Sequence, residues 1–146
     1  MKRYAITTAV LSTSLTACAD PIVGDWVGVT AASNSDASDS VTLPYENCTE
    51  DYTYVDYDGN ETIYEGSCST ISFEMTIGDD LTGSMDMSLS YAVKLDLEVE
   101  NSGGGAYKIN MSAEGESADI DCTLSDAKNM NCNMEFGGFN VDFEKQ

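Results

Sequence analysis

The sequence predicts an all-β domain, an antiparallel up-and-down meander that closes into a small barrel, with a β-sandwich as the alternative. Three observations carry this. From Ile71 onward, apolar side chains recur at every second position with polar ones between them, the period of strands with one dry and one wet face. Turn signals at Asp58-Gly59-Asn60, Ser102–Gly105 and Gly137-Gly138 separate the alternating runs, so sequential strands pair as hairpins. No stretch has convincing helical spacing. Antiparallel strands with one dry face must cover it, either by closing on themselves or by folding over.

Taken in order, the chain opens with Met1-Lys2-Arg3 and an apolar run of 14 residues, Tyr4 to Ala17, diluted by Thr and Ser. A membrane-spanning helix needs about 20 such residues. The basic start, apolar middle and small closing residues have the form of a secretory signal over residues 1–17. Residues 18–21 read as a tether with a proline stop, and 22–146 as a single domain. Ile22 to Val29, with the only Trp of the chain, reads as the first strand. Ala31 to Ser40 is small, polar and low in complexity, the composition of a flexible loop. Val41-Thr42-Leu43 reads as a brief strand before Pro44.

Thr49–Tyr57 and Glu61–Cys68 flank the Asp58-Gly59-Asn60 turn. Folding the chain about Asp58 sets Tyr52 opposite Tyr64 and Cys48 opposite Cys68. Ile71, Phe73, Met75 and Ile77 then fall out of phase with Tyr64 and Cys68, which predicts a bulge or a corner near Ser67–Thr70. Leu81 to Val99 is the strongest pattern: Leu81, Met85, Met87, Leu89, Tyr91, Val93, Leu95, Leu97 and Val99 share a face. This run exceeds a usual strand, so it is one long bent strand or two broken near Ser90-Tyr91-Ala92. Tyr107, Ile109 and Met111, then Ile120, Cys122 and Leu124, then Met130, Cys132, Met134 and Phe136, then Phe139, Val141 and Phe143 continue the alternation. Reversal about Ala127 sets Cys122 opposite Cys132. The count is eight or nine strands.

Composition narrows the function. All 26 acidic residues follow Cys18, and only Lys94, Lys108, Lys128 and Lys145 oppose them, so the chain after the signal has a formal charge of −22. That field excludes nucleic acid and anionic headgroups as partners. The sequence contains no His, which removes the commonest general base and zinc ligand and any Ser-His-Asp arrangement. No enzymatic activity is expected. Cys48, Cys68, Cys122 and Cys132 form an even set in an exported chain and predict the disulfides Cys48–Cys68 and Cys122–Cys132.

Two candidate sites stand out. Met85, Met87, Tyr91, Met111 and Met134 share the apolar phase and would line a soft cavity for a small hydrophobic ligand if the barrel is hollow. If it is full, they are core. Asp56, Asp58 and Asn60 concentrate oxygen ligands around a glycine turn, the chemistry calcium prefers, although the spacing is not that of an EF-hand loop. A plain polar β-turn explains the same residues, and no other cofactor is indicated.

Leu15-Thr16-Ala17-Cys18, at the end of the signal, resembles the lipobox of bacterial lipoproteins. The resemblance implies that the Cys18 thiol takes a diacylglycerol, that cleavage precedes it, and that the new amine is acylated (typically with palmitate). The membrane is then a partner through a lipid anchor. In that family the residue after the cysteine influences sorting, and Asp there tends to retain the protein at the inner membrane. Ala19 at that position implies the outer membrane, in a host with two. Gly24-x-Trp26 near the start of a β domain resembles the opening motif of lipocalins and lipocalin-like bacterial lipoproteins. In lipocalins a late Arg often crosses that Trp. No Arg follows the signal here, and Lys145 is the candidate to replace it. Together the resemblances imply a lipid-anchored envelope protein with a barrel that binds a small hydrophobic molecule. The alternative is a non-enzymatic structural or interaction lipoprotein with a filled core and an acidic surface, whose partner is another envelope protein.

Overall fold

The computed structural model describes residues 18–36 and 38–146. The signal segment 1–17 lies outside them, as does Ala37 of the polar loop. The strands are β1 (Gly24–Ser33), β2 (Ser40–Thr42), β3 (Tyr45–Cys48), β4 (Tyr52–Val55), β5 (Glu61–Tyr64), β6 (Cys68–Ile77), β7 (Thr82–Ser88), β8 (Ala92–Gly103), β9 (Ala106–Ala113), β10 (Glu116–Leu124), β11 (Asn129–Met134) and β12 (Phe139–Lys145). β6 to β12 form the antiparallel meander, and β1 lies between β12 and β6. Eight strands therefore close into a barrel, and the sandwich is set aside.

Closure is complete only over half of the barrel's height. β1 pairs with β6 from Gly24 to Val27. After an irregularity between Gly28 and Thr30, β1 pairs with β2 instead. The first half of β6 correspondingly pairs with β3, from Cys68 to Ile71. The barrel thus has a closed base, where β1 starts and β12 ends, and an opposite mouth where β1 and β6 part. Gly28 marks the crowded point of the bend. A Cβ there would meet Leu43 Cδ1, Phe73 Cβ and Val141 Cγ1, each at 3.2 Å.

Both predicted disulfides are present, and their half-cystines are direct cross-strand partners. Tyr52 stands opposite Tyr64, with ring centroids 4.8 Å apart and nearly parallel planes. Leu81–Val99 is two strands, broken at residues 89–91. Two expectations differ. Ala31, Ala32 and Ser33 are strand rather than loop, because β12 and β2 offer their backbone partners on both sides. No bulge interrupts β6, whose pairs with β3 and β7 run in even register. The phase changes because the chain turns a corner before β6: β4 and β5 form a two-stranded sheet of their own, outside the barrel, and Cys68 opens β6 on an exposed position. Tyr64 and Phe73 do not belong to one dry face.

The inward residues form one continuous core. Trp26, Phe73, Met75, Ile77, Met85, Leu97, Ile109, Ile120, Met130, Met134 and Phe143 are fully buried, and the Cys122–Cys132 bridge lies among them. Among the described residues, no polar or charged side chain is buried with this core. The period-two pattern thus has its usual cause: every second side chain leaves water, and the intervening ones stay in it.

The base is plugged by the segment that precedes β1. Ile22 is fully buried, and its carbonyl accepts from Trp26 Nε1 at 2.7 Å. Lys145 Nζ lies 5.4 Å from the Trp26 ring centroid and donates to the Pro21 carbonyl at 2.8 Å. A cation over an indole face is held by the negative potential of the ring. Asp20 completes the plug, accepting from Tyr107 Oη at 2.6 Å, Asn101 Nδ2 at 2.8 Å and Ile22 N at 3.2 Å. Desolvation by itself would raise the Asp20 pKa, but these hydrogen bonds outweigh it and hold the carboxyl below its ordinary value. The Tyr107 phenol is pushed up to about 12, first by burial and then by the hydrogen bond to Asp20 and its charge.

The sign of the consequence follows. Tyr107 must keep its proton to donate. Between its ordinary value of about 10 and its raised one, the folded chain holds a proton that the unfolded chain has released. Stability from this pair is present below pH about 10 and is lost as pH rises toward about 12. Melting temperatures recorded across that window should fall more steeply for the wild type than for Tyr107→Phe. Parallel curves would show that Tyr107 does not lock the plug.

Candidate functional site

The barrel is full at its base and open on one side of its mouth. The cause is a mismatch of strand lengths. The β9–β10 hairpin ends in a tight turn with Glu114 at φ 53° and Gly115 at φ 86°, the pair of positive angles that a type I′ turn requires. β9 therefore stops at Ala113, and its pairing with β8 begins only at Asp96. β8 continues past that point to Ala92, held by β7 alone, with Met87 opposite Val93 and Ser88 opposite Ala92. The wall is notched beside β8, and the notch opens a cleft of about 770 Å³.

Met87, Val93, Leu95, Met111, Ala113 and Ala118 give the cleft its apolar lining, with Tyr91 and Phe136 at its edge. Its size is that of small-molecule sites, roughly 300–1,000 Å³. Tyr91 and Phe136 are 70% and 53% exposed, large apolar groups presented to water beside an apolar hollow. Glu114, Glu116 and Lys94 supply the charges around it. A second depression, of about 350 Å³, lies on the outer wall over β6, β7 and β8. Ser72, Glu74, Asp86 and Ser88 line that one together with Met87, Ala92 and Val93, so both hollows mix apolar and polar groups and the first differs by its size.

Of the five residues expected around a ligand, the structure brings Met87, Tyr91 and Met111 together at this cleft. Met85 and Met134 are fully buried in the core and line no part of it. Tyr91 does not share the dry face as its phase suggested, because the β7–β8 connection turns it outward onto the rim. Val93 and Leu95 were legible as dry-face neighbours of Met87. Phe136 was legible only as an alternating apolar residue: β11 ends at Met134, and a short 3-10 turn over Glu135–Gly137 carries Phe136 to the mouth.

The candidate calcium turn is engaged with itself. The Asp56 carboxylate accepts from Asp58 N, Asn60 N and Asn60 Nδ2 at 2.8–2.9 Å. Led by the Asn60 side chain, these bonds hold its pKa below the ordinary carboxylate value. Asp56 thus organises the turn that joins β4 to β5. Among the described residues, no three acidic, His or Cys side chains gather in a way that could hold a metal ion. Cys18 is exposed and outside any disulfide. No helix among the described residues is long and apolar enough to cross a membrane. Comparison with known proteins returns no matching family model, no matching curated protein and no matching solved structure.

Proposed function

We propose that this chain is a bacterial envelope lipoprotein, exported by residues 1–17 and held at the outer membrane by acyl chains on Cys18, whose barrel takes a small apolar ligand in the mouth cleft. The observation that carries the ligand reading is the notch beside β8, a hollow of about 770 Å³ with Met87, Val93, Leu95 and Met111 in its lining and Lys94, Glu114 and Glu116 among its polar groups. Methionine side chains suit such a site, since they adapt to differently shaped apolar surfaces at little cost. The lipobox at Leu15–Cys18 carries the anchor, and the two disulfides fit the oxidising compartment to which such a signal delivers. Catalysis has no part in this reading.

The test is titration of an apolar fluorescent probe into the folded, unanchored protein. Saturable binding is expected at one site per chain. Met87→Trp, which fills the hollow from a partly exposed wall position, should abolish it, and Phe136→Ala should weaken it several-fold while leaving the circular dichroism spectrum unchanged. If the wild type does not bind the probe, or both variants bind as the wild type does, the cleft is not a ligand site.

A further inference from the structure

Six of the nine large apolar residues that are exposed among the described ones lie in one short segment, from Tyr52 to Tyr64. This segment is the β4–β5 hairpin, and every residue of both strands is exposed. Cross-strand pairs share a face, so Tyr52, Tyr64 and Tyr54 lie on one side, and Ile63 and Val55 on the other. Neither side packs on the barrel. An isolated hairpin is marginal in water, and an exposed apolar cluster rimmed by polar groups marks an interaction surface.

The chain also holds this arm in place. At its neck the Cys48–Cys68 bridge joins β3 to β6. Thr49 and Ser67 exchange hydrogen bonds, Thr49 N to the Ser67 carbonyl at 2.9 Å and Ser67 N to Thr49 Oγ1 at 3.0 Å. Gly66 N donates to Asp51 Oδ1, and a Cβ at Gly66 would sit 2.0 Å from the Thr49 carbonyl oxygen. Two side chains, a crosslink and an obligatory glycine fix a hairpin that buries nothing of its own.

Charge selects the partner. From Glu50 to Glu65 there are six carboxylates and no Lys or Arg. Nucleic acid, anionic glycan and anionic lipid are repelled. Aromatic faces flanked by carboxylates suit guanidinium and ammonium groups, which stack on the rings and pair with the acids. We infer that the β4–β5 arm is a docking element for a Lys/Arg-rich, apolar-studded segment of another protein. The inference is independent of the anchor and of the cleft.

The experiment uses the chain from Ala19 to Gln146, exported behind a signal whose cleavage needs no lipid so that both disulfides form, and an immobilised peptide of alternating Lys/Arg and Leu. The paired substitution Tyr54→Ser with Ile63→Ser touches only exposed side chains, so the melting temperature should not move. It should weaken peptide binding by about tenfold, the usual effect of removing an interface anchor. Glu61→Gln with Glu65→Gln should weaken it less and flatten its salt dependence, while Glu98→Gln with Glu100→Gln on the barrel wall should leave it near the wild-type value. Equal binding by the Tyr54/Ile63 variant would reduce the effect to a diffuse polyanion field and overturn the inference. Equal or tighter binding to the same peptide with Glu in place of Lys/Arg, to neutral oligosaccharides or to neutral phosphatidylcholine vesicles would overturn it as well.

Discussion

Replacing Trp26 by alanine is expected to lower the unfolding free energy by about 3–5 kcal/mol, a large share of the roughly 5–15 kcal/mol that holds a domain together. Trp26 is fully buried at the base, where it touches the core above, carries Lys145 on one face and bonds the Ile22 carbonyl. Its removal opens a void that the rigid ring of strands cannot collapse around, and it frees the plug formed by residues 20–22. Two milder variants apportion the loss. Trp26→Phe keeps most of the burial but leaves the Ile22 carbonyl without its donor, which costs about 1–3 kcal/mol if that carbonyl stays dry. Lys145→Met keeps the stem and removes the charge, worth about 0.5–1 kcal/mol over a ring at a partly exposed site. Denaturant titration followed by circular dichroism measures all three, since the indole itself cannot serve as the probe. A Trp26→Ala protein that unfolds at the wild-type denaturant concentration would show that the base is not a keystone.

Cys18→Ser is expected to abolish acylation of the protein entirely. The reasoning is chemical: a serine hydroxyl does not accept the diacylglycerol that a thiol accepts, so no acyl chain is added, and a signal cut only after lipidation stays on the chain. Two or more acyl chains hold a protein far more firmly than any surface contact of this domain, whose charge opposes anionic headgroups. Intact mass spectrometry should show the acyl mass on the wild type alone. A wild type that carries no acyl mass, or a Cys18→Ser protein that carries the same acyl mass, would sink the anchor reading and leave the barrel, the cleft and the arm untouched.

The barrel was legible because one signal repeats along it. Alternation from Phe73 to Phe143 states which side chains are dry, and antiparallel neighbours with short turns leave few ways to arrange them. Both disulfides and the Tyr52–Tyr64 pair followed from counting outward from a turn. Lys145 over Trp26 was reachable because only four cations were available to fill one role. What the alternation does not encode is where strands end. The cleft exists because β9 is shorter than β8, and Tyr91 and Phe136 sit on turns whose direction the period does not set. Met85 and Met134 are chemically the same as Met87 and Met111 and share their phase, so the alternation does not separate core from cleft. The β4–β5 arm was misplaced for a related reason. An apolar phase says that a face would be dry if something covered it, and here nothing in the chain does. Asp20 carried no pattern at all, although Tyr107, a phenol within an apolar phase, announced that some acceptor must reach it.

The Asp20 plug would have a mechanical consequence if Cys18 carries the proposed lipid. Only Ala19 separates Cys18 from the residue locked onto the base. That leash reaches roughly 7 Å at full extension, while a ten-residue strand such as β6 spans roughly 33 Å along its axis. A lipidated Cys18 would seat the barrel upright on its plugged end, with the cleft and the acidic arm at the far end, beyond the reach of the bilayer. Cargo would then arrive through water, or be handed over by whatever the arm holds, instead of being drawn up from the lipid below.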